Sequence, residues 1–313
     1  MTRSMAKTKP LTIVACAAFF LALFIQSAAA LSPSDAPVDV EVGALLVNVE
    51  KVDLSANSYR LDFYLWFKFD PAKISLAEVK EFEFINGAPS KYEVKVDEAG
   101  GYLEYRVRGD FIKTFDFTQY PFESHELAVM LEHKNLNRSC MVFKESAESG
   151  MESTASVVGW ELRDFKTYVT EHAYGDEKYS RFVFSVTLAR PKISAFLKSV
   201  LPVLVITTIS LLAFFMAPQN FSQRITLGVT TLLSATTFHL SLISGIPPTG
   251  YLTLADRMML SVYVVFLYNL AASVYIMRLM DEKKVDDAMR VKGKALRFLP
   301  FLLVVLIIIQ ILL

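Results

Sequence analysis

The stretch Ser222–Ser244, SQRITLGVTTLLSATTFHLSLIS, has the length of a membrane helix and the wrong surface for lipid. From Thr226 to Ser244 it covers about 27 Å at 1.5 Å per residue, close to the hydrocarbon thickness of a bilayer. Yet Thr226, Thr230, Thr237, Ser241 and Ser244 recur at three-, four- and seven-residue steps, with Leu233 in the same row, so one face carries hydroxyls from end to end. An isolated pair of hydroxyls in a membrane helix serves packing between helices. A row that runs the whole depth of the membrane argues instead for contact with water. One chain supplies one such helix, so a pore built from it requires several copies in a ring.

The same reading extends to both sides. Candidate spans lie at about residues 193–216, 222–244, 254–279 and 295–313, each long and apolar enough to cross a bilayer. The link 280–294 carries Lys283, Lys284, Arg290, Lys292 and Lys294, whereas 245–253 has no lysine or arginine, which places the basic link in the cytoplasm. The 313 residues are 53% hydrophobic with 32 basic and 32 acidic side chains, and that balance is a cancellation. Residues 1–30 hold three basic and no acidic groups, residues 31–189 hold 17 and 27, and residues 190–313 hold 12 and five. A disordered chain and a strongly basic nucleic-acid binder are both excluded by this pattern.

Ahead of the spans, Arg3, Lys7 and Lys9, the apolar run Leu11–Ile25 and Ala28-Ala29-Ala30 read as a signal peptide over residues 1–30. Residues 31–191 then read as an exported domain of strands. In Tyr59–Phe69 every odd position is apolar and the even ones are mixed, the period-two signature of a strand with one buried face. Similar alternation recurs in Tyr92–Val96, Leu103–Val107, Leu127–Leu131 and Phe182–Leu188, with turns at Asn86-Gly87, Gly100-Gly101 and Tyr174-Gly175-Asp176. The expected fold is an extracellular antiparallel β-sandwich followed by a four-helix transmembrane bundle over residues 192–313. With Cys16 removed in the signal, Cys140 is expected as an unpaired, half-buried strand residue.

Three motifs give this outline a likeness. Asp116-Phe117-Thr118-Gln119-Tyr120-Pro121-Phe122-Glu123 has an aromatic-Pro-Phe-acid core, Arg190 is followed by Pro202, and Arg224–Leu233 is followed by Pro247. In their order and spacing they resemble the pentameric ligand-gated ion channels, the Cys-loop or Pro-loop receptors, and their prokaryotic branch. Positions 113 and 127, where animal members place bracketing cysteines, are Lys113 and Leu127, and a tryptophan-proline motif of the family is replaced by Glu78-Val79-Lys80-Glu81. The resemblance implies a homopentamer in the plasma membrane, with its amino-terminal domain extracellular or periplasmic. It further implies a small-molecule or proton agonist, permeant inorganic ions, surrounding membrane lipid, no cofactor, no metal and no nucleic acid.

By the same resemblance, Ser222, Thr226, Thr230, Leu233, Thr237, Leu240, Ser241 and Ser244 would line the pore, with the leucines gating by dewetting. Tyr64, Tyr174 and Tyr179 would face the ligand, although the remaining walls fall at Ile85 and Lys134, so an aromatic cage for a quaternary ammonium is incomplete. Asp53, Phe117, Pro121, Phe122, Glu123, Arg190 and Pro247 would couple sandwich to membrane, with Asp53, Glu123 and Arg190 forming a charge cluster. His125, His133, His172 and His239 show no metal-ligand spacing, and His239 is expected to hydrogen-bond to a neighbouring helix. No nucleophile motif or phosphate loop points to an enzyme. The competing reading is a non-conducting, membrane-anchored periplasmic receptor.

Overall fold

The computed structural model describes residues 36–312, so the signal-peptide reading of residues 1–30 lies outside the described residues. Ten strands come first: β1 (Val38–Asp53), β2 (Ser58–Lys68), β3 (Phe82–Phe84), β4 (Ser90–Asp97), β5 (Tyr102–Ile112), β6 (Ser124–His133), β7 (Met141–Glu145), β8 (Gly150–Met151), β9 (Glu161–Tyr174) and β10 (Glu177–Ala189). One sheet runs β4-β5-β2-β1-β7, with β8 also on β1, and the other runs β3-β6-β10-β9. The long pairings are antiparallel, as the alternation requires. The exceptions are β7 and β8, which lie parallel to β1.

Period-two patterning builds the core directly. Tyr59, Leu61, Phe63, Leu65 and Phe67 on β2 are all buried, and they meet Phe182, Phe184, Val186 and Leu188 from the opposing sheet. Phe63 and Phe184 pack edge to face at 4.8 Å between ring centres, and Phe67 and Phe82 lie at 4.9 Å. Each buried phenylalanine contributes about 1.5–3 kcal/mol of transfer free energy, so this aromatic seam holds the two sheets together without a disulfide. Cys140 departs from expectation. It is an exposed residue of the turn before β7, because the strand it was expected to join begins one residue later at Met141.

A short helix α1 (Leu76–Val79), capped by Ser75 and Glu78 in a reciprocal box, sits where the family's tryptophan-proline motif is absent. Four apolar helices follow: α2 (Lys192–Phe214), α3 (Phe221–Ile243), α4 (Leu254–Asp281) and α5 (Val285–Leu312). Within α2 the turn Phe196–Val200 is π-helical, just ahead of Pro202, whose nitrogen has no hydrogen to donate to the turn before it. The last helix starts ten residues before the apolar run that marks its span. Hydropathy locates entry into hydrocarbon rather than the start of a helix, so Arg290, Lys292 and Lys294 are helical, and Glu282–Lys284 alone separate α4 from α5.

Candidate functional site

The helix α3 is two-faced. Arg224, Gly228, Thr231, Ala235 and Leu242 are buried against the rest of the chain, while Ser222, Thr226, Thr230, Leu233, Thr237, Leu240, Ser241 and Ser244 are all exposed. Leu233 and Leu240 are 67% and 65% exposed, so among the described residues nothing covers these two positions of the row. Thr237 donates its hydroxyl hydrogen to the Leu233 carbonyl at 3.0 Å and Ser244 to that of Ser241 at 2.7 Å, which leaves oxygen lone pairs facing outward. Arg224 opens the third sequence motif but carries no expected role there. It is 1% exposed, and among the described residues its guanidinium nitrogens have no hydrogen-bond partner. Its four- and three-residue spacing to Gly228 and Thr231 was the signal that it belongs to the inward face.

At the base of the sandwich the loop Phe117–Phe122, which contains a cis Tyr120–Pro121 peptide, rests on the connection between α3 and α4. The Tyr120 hydroxyl donates to the Leu242 carbonyl at 2.9 Å, and the Tyr251 hydroxyl accepts from the Phe117 amide at 2.8 Å. Amides of Leu254 and Ala255 donate to the Thr118 and Tyr120 carbonyls at 2.9 and 3.0 Å. Phe117 and Pro121 are buried, whereas Phe122 and Pro247 are half-buried at the margin. The sequence marked Phe117, Phe122 and Pro247 as coupling residues but gave no such role to Tyr120 and Tyr251, which make the hydrogen bonds, since a tyrosine in a loop carries no periodic signal.

The expected charge cluster forms with two members. Arg190 Nε donates to Glu123 Oε1 at 2.5 Å, with Glu123 2% exposed, and the guanidinium stacks over Trp160 at 4.4 Å and Tyr120 at 5.4 Å. Asp53 does not join them. Its carboxylate turns to Lys51 at 2.8 Å and the Ala56 amide at 3.0 Å, closing the β1–β2 turn, and these contacts hold it below the usual carboxylate range. Beside the pair lies His125, buried against Phe115, Phe117 and Trp160, where burial, with Lys113 and Arg190 adding to it, pushes its pKa down to about 4. Asp116 is held low by the hydroxyl and amide of Thr118.

On the sandwich flank Tyr174 and Tyr179 pack edge to face at 5.7 Å, with His172 at 4.6 Å from Tyr174. Behind them Arg181 donates to the buried Glu132 at 2.6 Å. Tyr64 lies on the other sheet, and no ring contact joins it to this group among the described residues. Its ring is covered by Arg106 at 5.2 Å, and Arg106 is itself held by Asp62 at 2.7 and 3.0 Å. That face therefore already carries a guanidinium, which opposes a second cation there. In the membrane, His239 Nδ1 is 3.0 Å from the Tyr263 hydroxyl and Nε2 is 2.9 Å from Asp256 Oδ1, so the expected helix-to-helix bond is made to α4.

Residues 199–305 match the model of the neurotransmitter-gated ion-channel transmembrane region. A proton-gated ion channel of Gloeobacter violaceus is 24% identical over 259 residues, which cover 74% of this chain and 71% of that channel. Neuronal acetylcholine receptor subunit alpha-9 of Gallus gallus is 24% identical over 165 residues, 52% of this chain and 34% of the subunit. The alpha-9-II subunit of Oncorhynchus mykiss is 23% identical over 167 residues, 52% of this chain and 30% of that one. The matches thus span about a third of the two receptor subunits, and all three relatives are channel or receptor proteins rather than enzymes. A β-sandwich outside the membrane, four spanning helices after it and these relatives agree: the chain is a multi-pass membrane protein whose transmembrane region matches that of the neurotransmitter-gated ion channels and which is similar to pentameric ligand-gated channels.

Proposed function

We propose that the chain is one subunit of a homopentameric ligand-gated channel in which α3 of each copy lines a central pore for small inorganic ions. The observation that carries this reading is the uncovered row from Ser222 to Ser244, polar in the middle of a membrane and set opposite a buried face. Exposed to lipid, such hydroxyls gain nothing; facing water in a ring of five, they form polar girdles at Thr226, Thr230 and Thr237. Leu233 forms an apolar ring between Thr230 and Thr237, and Leu240 forms a second one beyond Thr237. A narrow leucine ring blocks conduction because an ion cannot shed its water without replacement ligands.

Gating follows from the junction. The Tyr120 and Tyr251 hydrogen bonds, with the Glu123–Arg190 pair beside them, connect the sandwich to the outer end of α3, so a ligand or protons bound outside can bias the leucine rings. Moving the equilibrium from mostly closed to mostly open needs about 5.5 kcal/mol, or about 1.1 kcal/mol per subunit. One polar contact per subunit is enough. Protons are supported as an agonist by His125, a histidine held neutral at that junction, and by the bacterial relative, itself a proton-gated channel.

Planar-bilayer recording of the purified protein tests the reading. Discrete currents that rise as external pH falls from 7.5 to 4, with a reversal potential set by the salt gradient, are expected, and the reversal potential gives the sign of the permeant ion. Intact oligomers that stay silent at every pH and with every ligand would favour the non-conducting receptor.

A further inference from the structure

One buried charge of the membrane domain is used neither by the exposed row nor by the junction. Arg224 is 1% exposed, and among the described residues its Nε, Nη1 and Nη2 have no hydrogen-bond partner. It lies on the face of α3 opposite the exposed row. A guanidinium stays ionised in proteins, and a charge taken out of water alone is unstable unless something compensates it. The start of α3 makes the imbalance larger. Neither Ala217, ahead of the turn Pro218–Asn220, nor Asn220 caps the helix with its side chain, and the first turn holds no acidic residue. A helix start carries about half a positive elementary charge, and side chains lean toward the amino end of their own helix, so the guanidinium adds to that potential.

The surroundings narrow what can compensate it. Gly228, one turn farther along α3, is close enough to α4 that a Cβ there would meet Leu270 Cδ1 at 3.6 Å. The two helices are antiparallel, so Ser273, three residues beyond Leu270, comes to within about 2 Å of the depth of Arg224. Ser273 is 1% exposed, and its hydroxyl also has no partner among the described residues. One turn nearer the membrane centre, Asn269 gives its amide hydrogens to Ser210 of α2 at 2.7 and 3.0 Å and leaves its own carbonyl oxygen unpartnered. That oxygen repels an anion and bounds the site on that side. The end of α2 packs on α3 and α4, but its Leu212 and Ala213 carbonyls are taken by the amides of Phe215 and Met216. Residues 190–313 contain five acidic side chains, and none pairs with Arg224: Asp256 bonds to His239 at the outer end, and the other four sit at the exposed turn where α4 meets α5. Water would satisfy the hydrogen bonds and leave the charge, whereas a small anion answers both.

We propose that each chain holds one small monovalent inorganic anion, of the chloride kind, inside its membrane domain between α2, α3 and α4. The Arg224 guanidinium and the Ser273 hydroxyl donate to it, and the start of α3 adds its dipole. A halide suits these donors because it accepts hydrogen bonds from any direction and gives up its water more readily than phosphate or sulfate, and the Arg224 nitrogens are sealed from solvent. The ion is a resident part of the fold. It sits behind the exposed row of α3, so the site stands whether or not the chain conducts.

The test uses the full-length protein in detergent, with chloride exchanged for gluconate at constant ionic strength. The temperature at which half of the protein has unfolded and aggregated is expected to rise with the logarithm of the chloride concentration. Arg224→Gln removes that rise, Ser273→Ala moves it to about tenfold higher chloride, and Arg224→Lys keeps it. Crystals of the native protein grown in bromide give a reading that needs no variant, an anomalous peak beside the Arg224 guanidinium in every chain. Equal midpoints in chloride and gluconate overturn the proposal. So does a rise that persists in Arg224→Gln, which would mark an adventitious ion only. An anomalous map with no peak at Arg224 also overturns it, because the guanidinium would then be hydrated and nothing more.

Discussion

Replacing Arg190 with alanine is the sharpest perturbation of the junction, because the structure fixes both its size and its asymmetry. Glu123 is 2% exposed and accepts from Arg190 at 2.5 Å through one oxygen, while its other oxygen has no partner among the described residues. Arg190 is 25% exposed and keeps a route to water. Removing the guanidinium strands a buried carboxylate, which costs about 3–5 kcal/mol. The lost stacking on Trp160 and Tyr120 is part of that total. Removing the carboxylate instead, by Glu123→Gln, leaves a cation that can be hydrated and a neutral amide of the same shape, at about 1–2 kcal/mol. The double variant should therefore be more stable than Arg190→Ala alone, by about 1–2 kcal/mol. Denaturant unfolding of the sandwich in detergent, followed by Trp160 emission in a Trp66→Phe background, measures all four corners of the cycle. Bilayer currents on the same proteins read the gating consequence, a loss of response to agonist with oligomers intact. A cost below about 1 kcal/mol for Arg190→Ala, or strictly additive effects, would refute the reasoning. Normal currents in Arg190→Ala would remove the pair from gating.

Three further perturbations address separate links. Leu233→Ser should wet the central apolar ring and give either basal current or opening at lower agonist concentration; unchanged sensitivity with no leak would take Leu233 out of the gate. Tyr251→Phe deprives the Phe117 amide of its acceptor, a cost of about 1–3 kcal/mol at the junction. Hydrogen exchange should then accelerate at Phe117 and its neighbours while the β6–β10 amides keep their protection, and identical exchange in the two proteins would contradict the contact. His125 has a folded pKa of about 4, depressed chiefly by burial, against about 6.5 in the unfolded chain. The unfolded state binds the extra proton between those values, so stability falls as pH drops from about 6.5 to about 4, by up to about 3 kcal/mol. His125→Phe, which keeps the aromatic packing, should lose less over that interval; parallel pH profiles for the two proteins would reject the assignment.

The sequence determined whatever repeats with the period of a secondary structure. Alternation along Tyr59–Phe69 was enough to place Phe63 and Phe67 in a sheet interface, because a strand's side chains must go to opposite faces. Helical spacing from Ser222 to Ser244 was enough to put eight side chains on one surface of α3, and hydropathy was enough to count the spans. These are local consequences of backbone geometry, and no tertiary contact is needed to see them. Charge also worked locally, since the basic link fixed the orientation before any fold was known.

Contacts between distant segments were decided by the tertiary structure alone. Glu123 and Arg190 are 67 residues apart and were legible as candidates, but whether Asp53 completes the cluster depended on Lys51 and the Ala56 amide being closer to it. Tyr120 and Tyr251 acquire their roles through backbone groups of Leu242 and Phe117, which carry no side-chain signature in a sequence. Arg106 on Tyr64 changed the chemistry of a surface that the tyrosine alone suggested was open to cations. Periodicity specifies which face a residue takes, and packing specifies what it meets there, because the partner of a buried polar atom is chosen by three-dimensional proximity rather than by spacing along the chain.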